Sequence, residues 1–340
     1  MSGGFEVTRP LPGARFGAMV RLPGADTRGI VAAAEADPDR LPRLLAEANG
    51  LLCLPGMEAI EQEPELFLRL SRLFGPEVEN YRTTLTRANA VHPEVKEIFI
   101  VSNIPPVGRA PPPLPDPPLT ADGRFPVQYP QRKGWHTDQS YRRPPPDISL
   151  FTALIPAPKG QGQTLFASGT LAYDSLSPEM KARVEGLVGL HMQPGQGRSR
   201  EAVQRGETPR PLAAHEQPQR QPVVRIHPVT GTRSLYLCES GQMDWLEGPL
   251  VGLEPGPDGA GGRLLDALMT HITRPEHVYV HDWDKGDLVI WDNRCLMHAA
   301  SWFDHERHGR LMWRTTVHGN PGAAYAGERK SWVPQQAAAE

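Results

Sequence analysis

Proline and glycine decide most of what this chain can become: 37 prolines and 33 glycines cut it into short runs and exclude long helices from most of its length. Helical spacing survives in a few places. Residues 39–50 (DRLPRLLAEANG) place leucines on one face and stop at Asn-Gly, and residues 63–74 (EPELFLRLSRLF) repeat the pattern before Gly75-Pro76. Two further helices are expected, over 177–187, entered through Ser177-Pro178-Glu179, and over 262–272. Between the first two, Leu51–Leu54 reads as a short buried strand.

The second half alternates short β-rich runs with turns, at 223–226, 234–237, 278–280, 288–291 and 311–317. Such spacing predicts a mainly β fold with flanking helices, an antiparallel sandwich or barrel decorated by helices rather than interleaved with them. We expect one catalytic domain over 1–340, without internal repeats. Two segments stand apart as loop insertions, near 105–130 and at 193–222. The first opens with the proline-rich PPVGRAPPPLPDPP, and the second is rich in Gln, Arg, Pro and Gly. Both read as solvated connections, with a lid over a nearby site as the other reading.

A formal net charge of -3 gives no electrostatic footprint for nucleic acid or an anionic membrane, so neither is an expected partner. No window approaches ~18 uninterrupted apolar residues, and the first residues lack a basic start followed by an apolar run. The three cysteines, Cys53, Cys238 and Cys295, are odd in number and widely spaced, matching neither a disulfide framework nor a CxxC metal site. A reducing cytoplasm is the expected compartment.

GWHTDQSY, residues 134–141, carries His136 and Asp138 two positions apart. On a strand such a pair points to one face, where an imidazole and a carboxylate can share a metal. An HxD triplet is common by chance, and a third ligand must come from elsewhere. His298, in GDLVIWDNRCLMHAA, is the best candidate, against the reading of a satisfied core histidine. His305 and His308 sit in the charged run DHERHGR and are expected to face solvent, while His277 and His281 flank a strand.

Arg310 lies twelve residues after His298 and is followed by Arg314 in RLMWRTTV. An arginine in an apolar strand is costly unless paired, and its planar fork suits a carboxylate. Two such residues on one face beside His298 are what binding a dianionic 2-oxo acid next to a metal would require; an internal salt bridge is the plainer reading. Thr164 could add a hydroxyl to the same carboxylate.

These residues resemble the taurine dioxygenase-like (TauD/TfdA) group of Fe(II)- and 2-oxoglutarate-dependent dioxygenases. The similarity runs over nearly the whole chain, from VTRPLPGARFGAMV and FGPE through GWHTDQSY and GQGQTLFASGTLAYDSLSPEMKARVEGL. It continues in QPVVRIHPVTGTRSLYL and ends in WDKGDLVIWDNRCLMHAASW and RLMWRTTVHG. The resemblance implies a double-stranded β-helix (jelly roll) core, with His136, Asp138 and His298 as iron ligands. Arg310 and Thr164 would hold the distal carboxylate of 2-oxoglutarate, and Arg314 would lie near its metal-proximal carboxylate or the substrate anion.

It further implies that O2 and 2-oxoglutarate are consumed to hydroxylate an unactivated C–H bond of a small organic acid, giving succinate and CO2. Relatives with this fold form dimers or tetramers, so a homo-oligomer is an expectation as well. Departures bear on the substrate. Where taurine-specific members carry a histidine after the FG motif, this chain has Asn80, Tyr81 and Arg82, and four residues before the first ligand it has Arg132 instead of asparagine. Asn80, Arg82, Arg132 and Gln139 are therefore the expected substrate-side residues, for an anion other than taurine. A zinc hydrolase on the same triad and a non-catalytic metal-binding jelly-roll module are the alternatives.

Overall fold

The computed structural model describes residues 4–84 and 87–331 of the 340. Two sheets face each other. The larger has eight strands, and its centre is the run Leu51–Leu54, Leu288–Asp292, Ile148–Ile155 and Leu311–His318, with Phe99–Ser102 pairing alongside the last. The smaller places Thr164–Ser168 between Val278–His281 and Leu296–Ala300. Neighbours in this core pair antiparallel; the parallel exception is Ala18–Arg21 beside Leu51–Leu54. The expected jelly-roll core is what the two sheets form.

Alternation along the strands separates two apolar cores. Leu52, Leu54, Leu150, Leu288 and Ile290 point to the helix-covered face, where Ile30, Leu41, Leu45, Phe67 and Leu70 meet them. Their alternate neighbours Leu51, Cys53, Phe151, Val289 and Trp291 point inward and close on Phe166 and Leu296 of the smaller sheet. The candidate site opens at one end of this inner layer.

The expected elements fall close to where they were placed. Helices occupy Arg40–Glu47, Pro64–Arg72, Pro178–Val184 and Ala260–Ile272, and the strand Leu51–Leu54 has the predicted bounds. Asn49 and Gly50 adopt φ of 53° and 86°, the left-handed stop the Asn-Gly pair predicts. Ser177 caps its helix by accepting from the Met180 amide at 3.2 Å. One long element was not foreseen. Ile148–Ile155, flanked on both sides by partners, is buried at seven of its eight positions and so lacks the alternation that marks a half-exposed strand. Thr27–Ala36 also forms a helix, capped by Asp26.

Candidate active site

His136 does not lie in a regular strand. A single antiparallel bridge joins it to His298, each amide donating to the other's carbonyl at 2.9 and 2.8 Å. The chain then turns away, and Gln139 takes φ of 49°, a left-handed conformation that costs a side-chain-bearing residue energy. Residues 162 positions apart in sequence thus bring their rings to a centroid distance of 4.2 Å.

The structure brings His136, Asp138 and His298 together: one ligand atom from each lies within 4.8 Å of the others. Both imidazole Nε2 atoms stand 3.8 Å from Asp138 Oδ1. His136 Nδ1 is 2.7 Å from the Gly134 carbonyl, and only a protonated nitrogen can donate to it, so Nε2 keeps its lone pair. Burial lowers both imidazoles, His298 to about 3, and each is lowered further by Arg314 nearby. Near neutral pH both are therefore in the uncharged form that binds a metal. Burial would raise the Asp138 carboxyl, but Arg314, the two imidazoles and Ser149 outweigh it and hold the group below its ordinary range. Two neutral nitrogens and one carboxylate fit a divalent transition metal such as ferrous iron.

Asp138 is fixed from two sides. Arg314 donates to Oδ1 at 2.7 Å and Ser149 to Oδ2 at 2.8 Å. Asn293 donates to Ser149 Oγ at 2.9 Å, and its Oδ1 accepts from Trp291 Nε1 at 2.9 Å and the Asp138 amide at 3.3 Å. Ser149 and Asn293 were not singled out from sequence; a serine inside an apolar strand and an asparagine in the turn that follows another are the signal that was available, since buried polar groups require partners.

A cavity of about 330 Å³ adjoins the triad and is lined by Thr164, Arg310 and Arg314 as well as both imidazoles. Period-two spacing puts Thr164 and Phe166 on one face, opposite Ala300 and His298 on the neighbouring strand. Arg310 is buried and, among the described residues, has no carboxylate within ion-pair distance. Its guanidinium sits over the Phe151 ring at 5.7 Å, and burial, with Arg109 adding to it, pushes its pKa down to about 10. Thr164 Oγ1 accepts from Trp283 Nε1 at 3.0 Å, which leaves the hydroxyl hydrogen available to an anion.

A second cavity, of about 620 Å³, meets the first at His136, Arg109 and Arg314. Gln139 lines it beside Asp138, with Oε1 unpartnered. Both insertions reach its wall, through Val107 and Arg109 from one and Gln193 and His215 from the other.

Three expected substrate residues are placed elsewhere. Asn80 accepts from the Arg82 amide at 3.1 Å as a turn residue, and the Arg82 guanidinium turns outward to the Pro93 carbonyl. Arg132 is buried, donates through Nε to the Pro126 carbonyl at 3.0 Å, and lines a separate cavity outside the smaller sheet. Hydrogen bonds to nearby carbonyls take the arginines where charge pairing alone would have sent them to the site.

The rival histidines lie elsewhere. His305 and His308 are exposed. His277 and His281 are buried away from the cavities, the latter 3.2 Å from Asp287. His227, Asp292 and Cys295 also cluster, but His227 Nδ1 accepts two backbone amides and Nε2 must then donate to Asp292, leaving no lone pair for a metal. Among the described residues no helix is long and apolar enough to cross a membrane.

This geometry agrees with what the chain resembles elsewhere. Residues 8–316 match the taurine catabolism dioxygenase TauD, TfdA family, and the chain belongs to that family. It is 31% identical over 333 residues to pentalenolactone F synthase of Streptomyces arenae, covering 95% of this chain and 99% of that one. It is 36% identical over 198 residues to (S)-phenoxypropionate/alpha-ketoglutarate-dioxygenase of Sphingobium herbicidovorans, a match spanning 57% of this chain and 64% of that enzyme. In structure it is similar to AAD-2, crystallised with Mn(II) and N-oxalylglycine, with a TM-score of 0.64 and 26% identity over 93% of this chain and 98% of the other.

Proposed function

We infer that this chain is an Fe(II)- and 2-oxoglutarate-dependent dioxygenase that hydroxylates an unactivated C–H bond of a small anionic organic substrate, with succinate and CO2 as coproducts. His136, Asp138 and His298 would hold the iron, which when bound supplies O2 activation coupled to oxidation of the 2-oxo acid. Arg310 and Thr164 would bind the far carboxylate of 2-oxoglutarate. Arg314 and Ser149 hold the Asp138 carboxylate in place, so that it meets the metal already oriented. The rings of Phe151, Trp291 and Phe303 line the cavity and would shield a bound cosubstrate from water on that side.

One observation carries this reading: the Arg310 guanidinium is buried in the triad's own cavity without a counter-ion. Burying an unpaired charge costs several kcal/mol, and a dicarboxylate cosubstrate removes that cost. A hydrolytic zinc site gives this residue nothing to do. The relative that holds N-oxalylglycine, itself a dicarboxylate of the same shape, supports the assignment. The relatives named for phenoxypropionate and 2,4-dichlorophenoxyacetate support a carboxylate substrate.

The test is aerobic turnover with Fe(II), 2-oxoglutarate and a panel of aryloxy acids, aliphatic sulfonates, sulfate esters and amino acids. Succinate formed in step with a hydroxylated product is the expected result. Hydrolysis of any panel member without consumption of O2 or 2-oxoglutarate would contradict it.

A further inference from the structure

Five guanidiniums line the joined cavities, and they differ in what neutralises them: Arg142 is matched by Glu79 at 2.8 Å, and Arg87 is exposed and lines the second cavity alone. Arg314 is matched by Asp138 at 2.7 Å, and Arg310 is reserved, on the reading above, for the cosubstrate. Arg109 is left. It comes from the proline-rich segment and lines both cavities where they meet beside His136, and no carboxylate pairs with it among the described residues. Arg109 keeps solvent access at this junction, where Arg314 and Arg87 add positive charge and Asp138 opposes them, so the place is electropositive and open to an incoming anion.

The position is built rather than incidental. The Arg109 amide donates to the Ser102 carbonyl at 2.8 Å, while Ser102 Oγ donates to the Arg310 carbonyl at 2.7 Å. One serine at the end of the strand Phe99–Ser102 therefore sets the spacing of Arg109 and Arg310. Asn103 extends the tie, accepting from the Arg310 amide at 2.7 Å. Arg109 thus sits at the anchored root of the loop, and Ala110, Pro111 and Pro112 beyond it form cavity wall. Proline fixes φ in such a wall, so little chain entropy is lost when a ligand settles against it.

Charge balance shows what remains to be bound. With Arg314 cancelled by Asp138, a divalent metal and Arg310 together meet a 2-oxoglutarate dianion with charge to spare, and Arg109 adds one more positive charge on the substrate side. We propose that Arg109 is the specificity-determining residue that fixes the anionic end of the primary substrate over the metal triad, acting from the proline-rich segment rather than from the barrel strands. This rests on the reading of the site as a 2-oxoglutarate-dependent dioxygenase.

The experiment follows binding in the anaerobic Fe(II)·2-oxoglutarate enzyme, through the visible charge-transfer band of that complex and its shift on adding ligand. Phenoxyacetate, hexanesulfonate and hexyl sulfate are titrated, with methyl phenoxyacetate as the neutral counterpart, against wild type, Arg109→Gln and Arg109→Lys. At least one anion should shift the wild-type band. Arg109→Gln should weaken that anion at least tenfold, Arg109→Lys should restore part of the loss, and the ester and 2-oxoglutarate should change less than threefold. The intact band reports that the variant is folded and loaded.

Equal losses for acid and ester, a matching loss of 2-oxoglutarate affinity, or no anion shifting the wild-type band would each overturn the proposal. Failure of the band to form at all in wild type would instead defeat the dioxygenase reading on which it rests.

Discussion

Arg314 donates to Asp138 Oδ1 at 2.7 Å, the same oxygen that stands 3.8 Å from both imidazoles. A cation therefore orients the carboxylate at the centre of the triad. Replacing Arg314 with Gln should weaken divalent metal binding by roughly ten- to a hundredfold, the usual effect of removing a group that orients a metal ligand. Titration with Mn(II), followed by its paramagnetic resonance signal, measures this; unchanged affinity would show that Ser149 and Asn293 position Asp138 unaided.

Arg310 and Thr164 both line the smaller cavity beside the triad. Arg310→Ala should raise the dissociation constant for 2-oxoglutarate roughly ten- to a hundredfold, the range expected for losing a charge-assisted hydrogen bond of about 1.5–3 kcal/mol. Metal affinity measured without 2-oxoglutarate should stay within about threefold of wild type. Calorimetry with each ligand separately distinguishes this from a general loss of the site.

Glu79 is buried between Arg142, at 2.8 Å, and His318, at 3.6 Å. Burial raises its carboxyl, but the charge of Arg142 and the hydrogen bonds from Arg142 and His318 outweigh burial and bring it down from 4.5 to about 2. A carboxylate whose folded pKa is depressed stabilises the fold above its unfolded value, and that contribution disappears as pH falls through the folded one. The window is therefore pH 4.5 down to about 2, and the contribution at neutral pH is on the order of 3 kcal/mol. Denaturant midpoints between pH 6 and 3 should fall more steeply for wild type than for Glu79→Gln. Parallel curves would remove Glu79 from the account.

All three cysteines are buried and unpaired. Burial pushes Cys53 and Cys238 up to about 12 and Cys295 well above its ordinary value, so thiolate is scarce near neutral pH. Ellman's reagent should find no reactive thiol in the native protein and three after guanidinium denaturation. Rapid labelling of the native state would contradict the burial described.

Much of this architecture can be read from the residues themselves. Leu51–Leu54 and the Asn49-Gly50 stop were legible because turn chemistry and a short apolar run act locally. Ile148–Ile155 was not, because a strand buried on both faces shows no period. Residue type picked out His298 and Arg310, which line one cavity, but it also pointed to Arg82 and Arg132, which donate to the carbonyls of Pro93 and Pro126 instead. Arg109 was passed over inside a segment that composition marks as solvated. Nothing in a proline-rich sequence announces that one amide, bonded to Ser102, anchors its root beside Arg310.

Absorption of the anaerobic protein with Fe(II) and 2-oxoglutarate reads the three ligands at once. Wild type should develop a visible charge-transfer band, His298→Ala should lack it, and His305→Ala, altered at an exposed histidine, should keep it. A band that survives in His298→Ala, or never forms in wild type, would contradict convergence of His136, Asp138 and His298 on one iron.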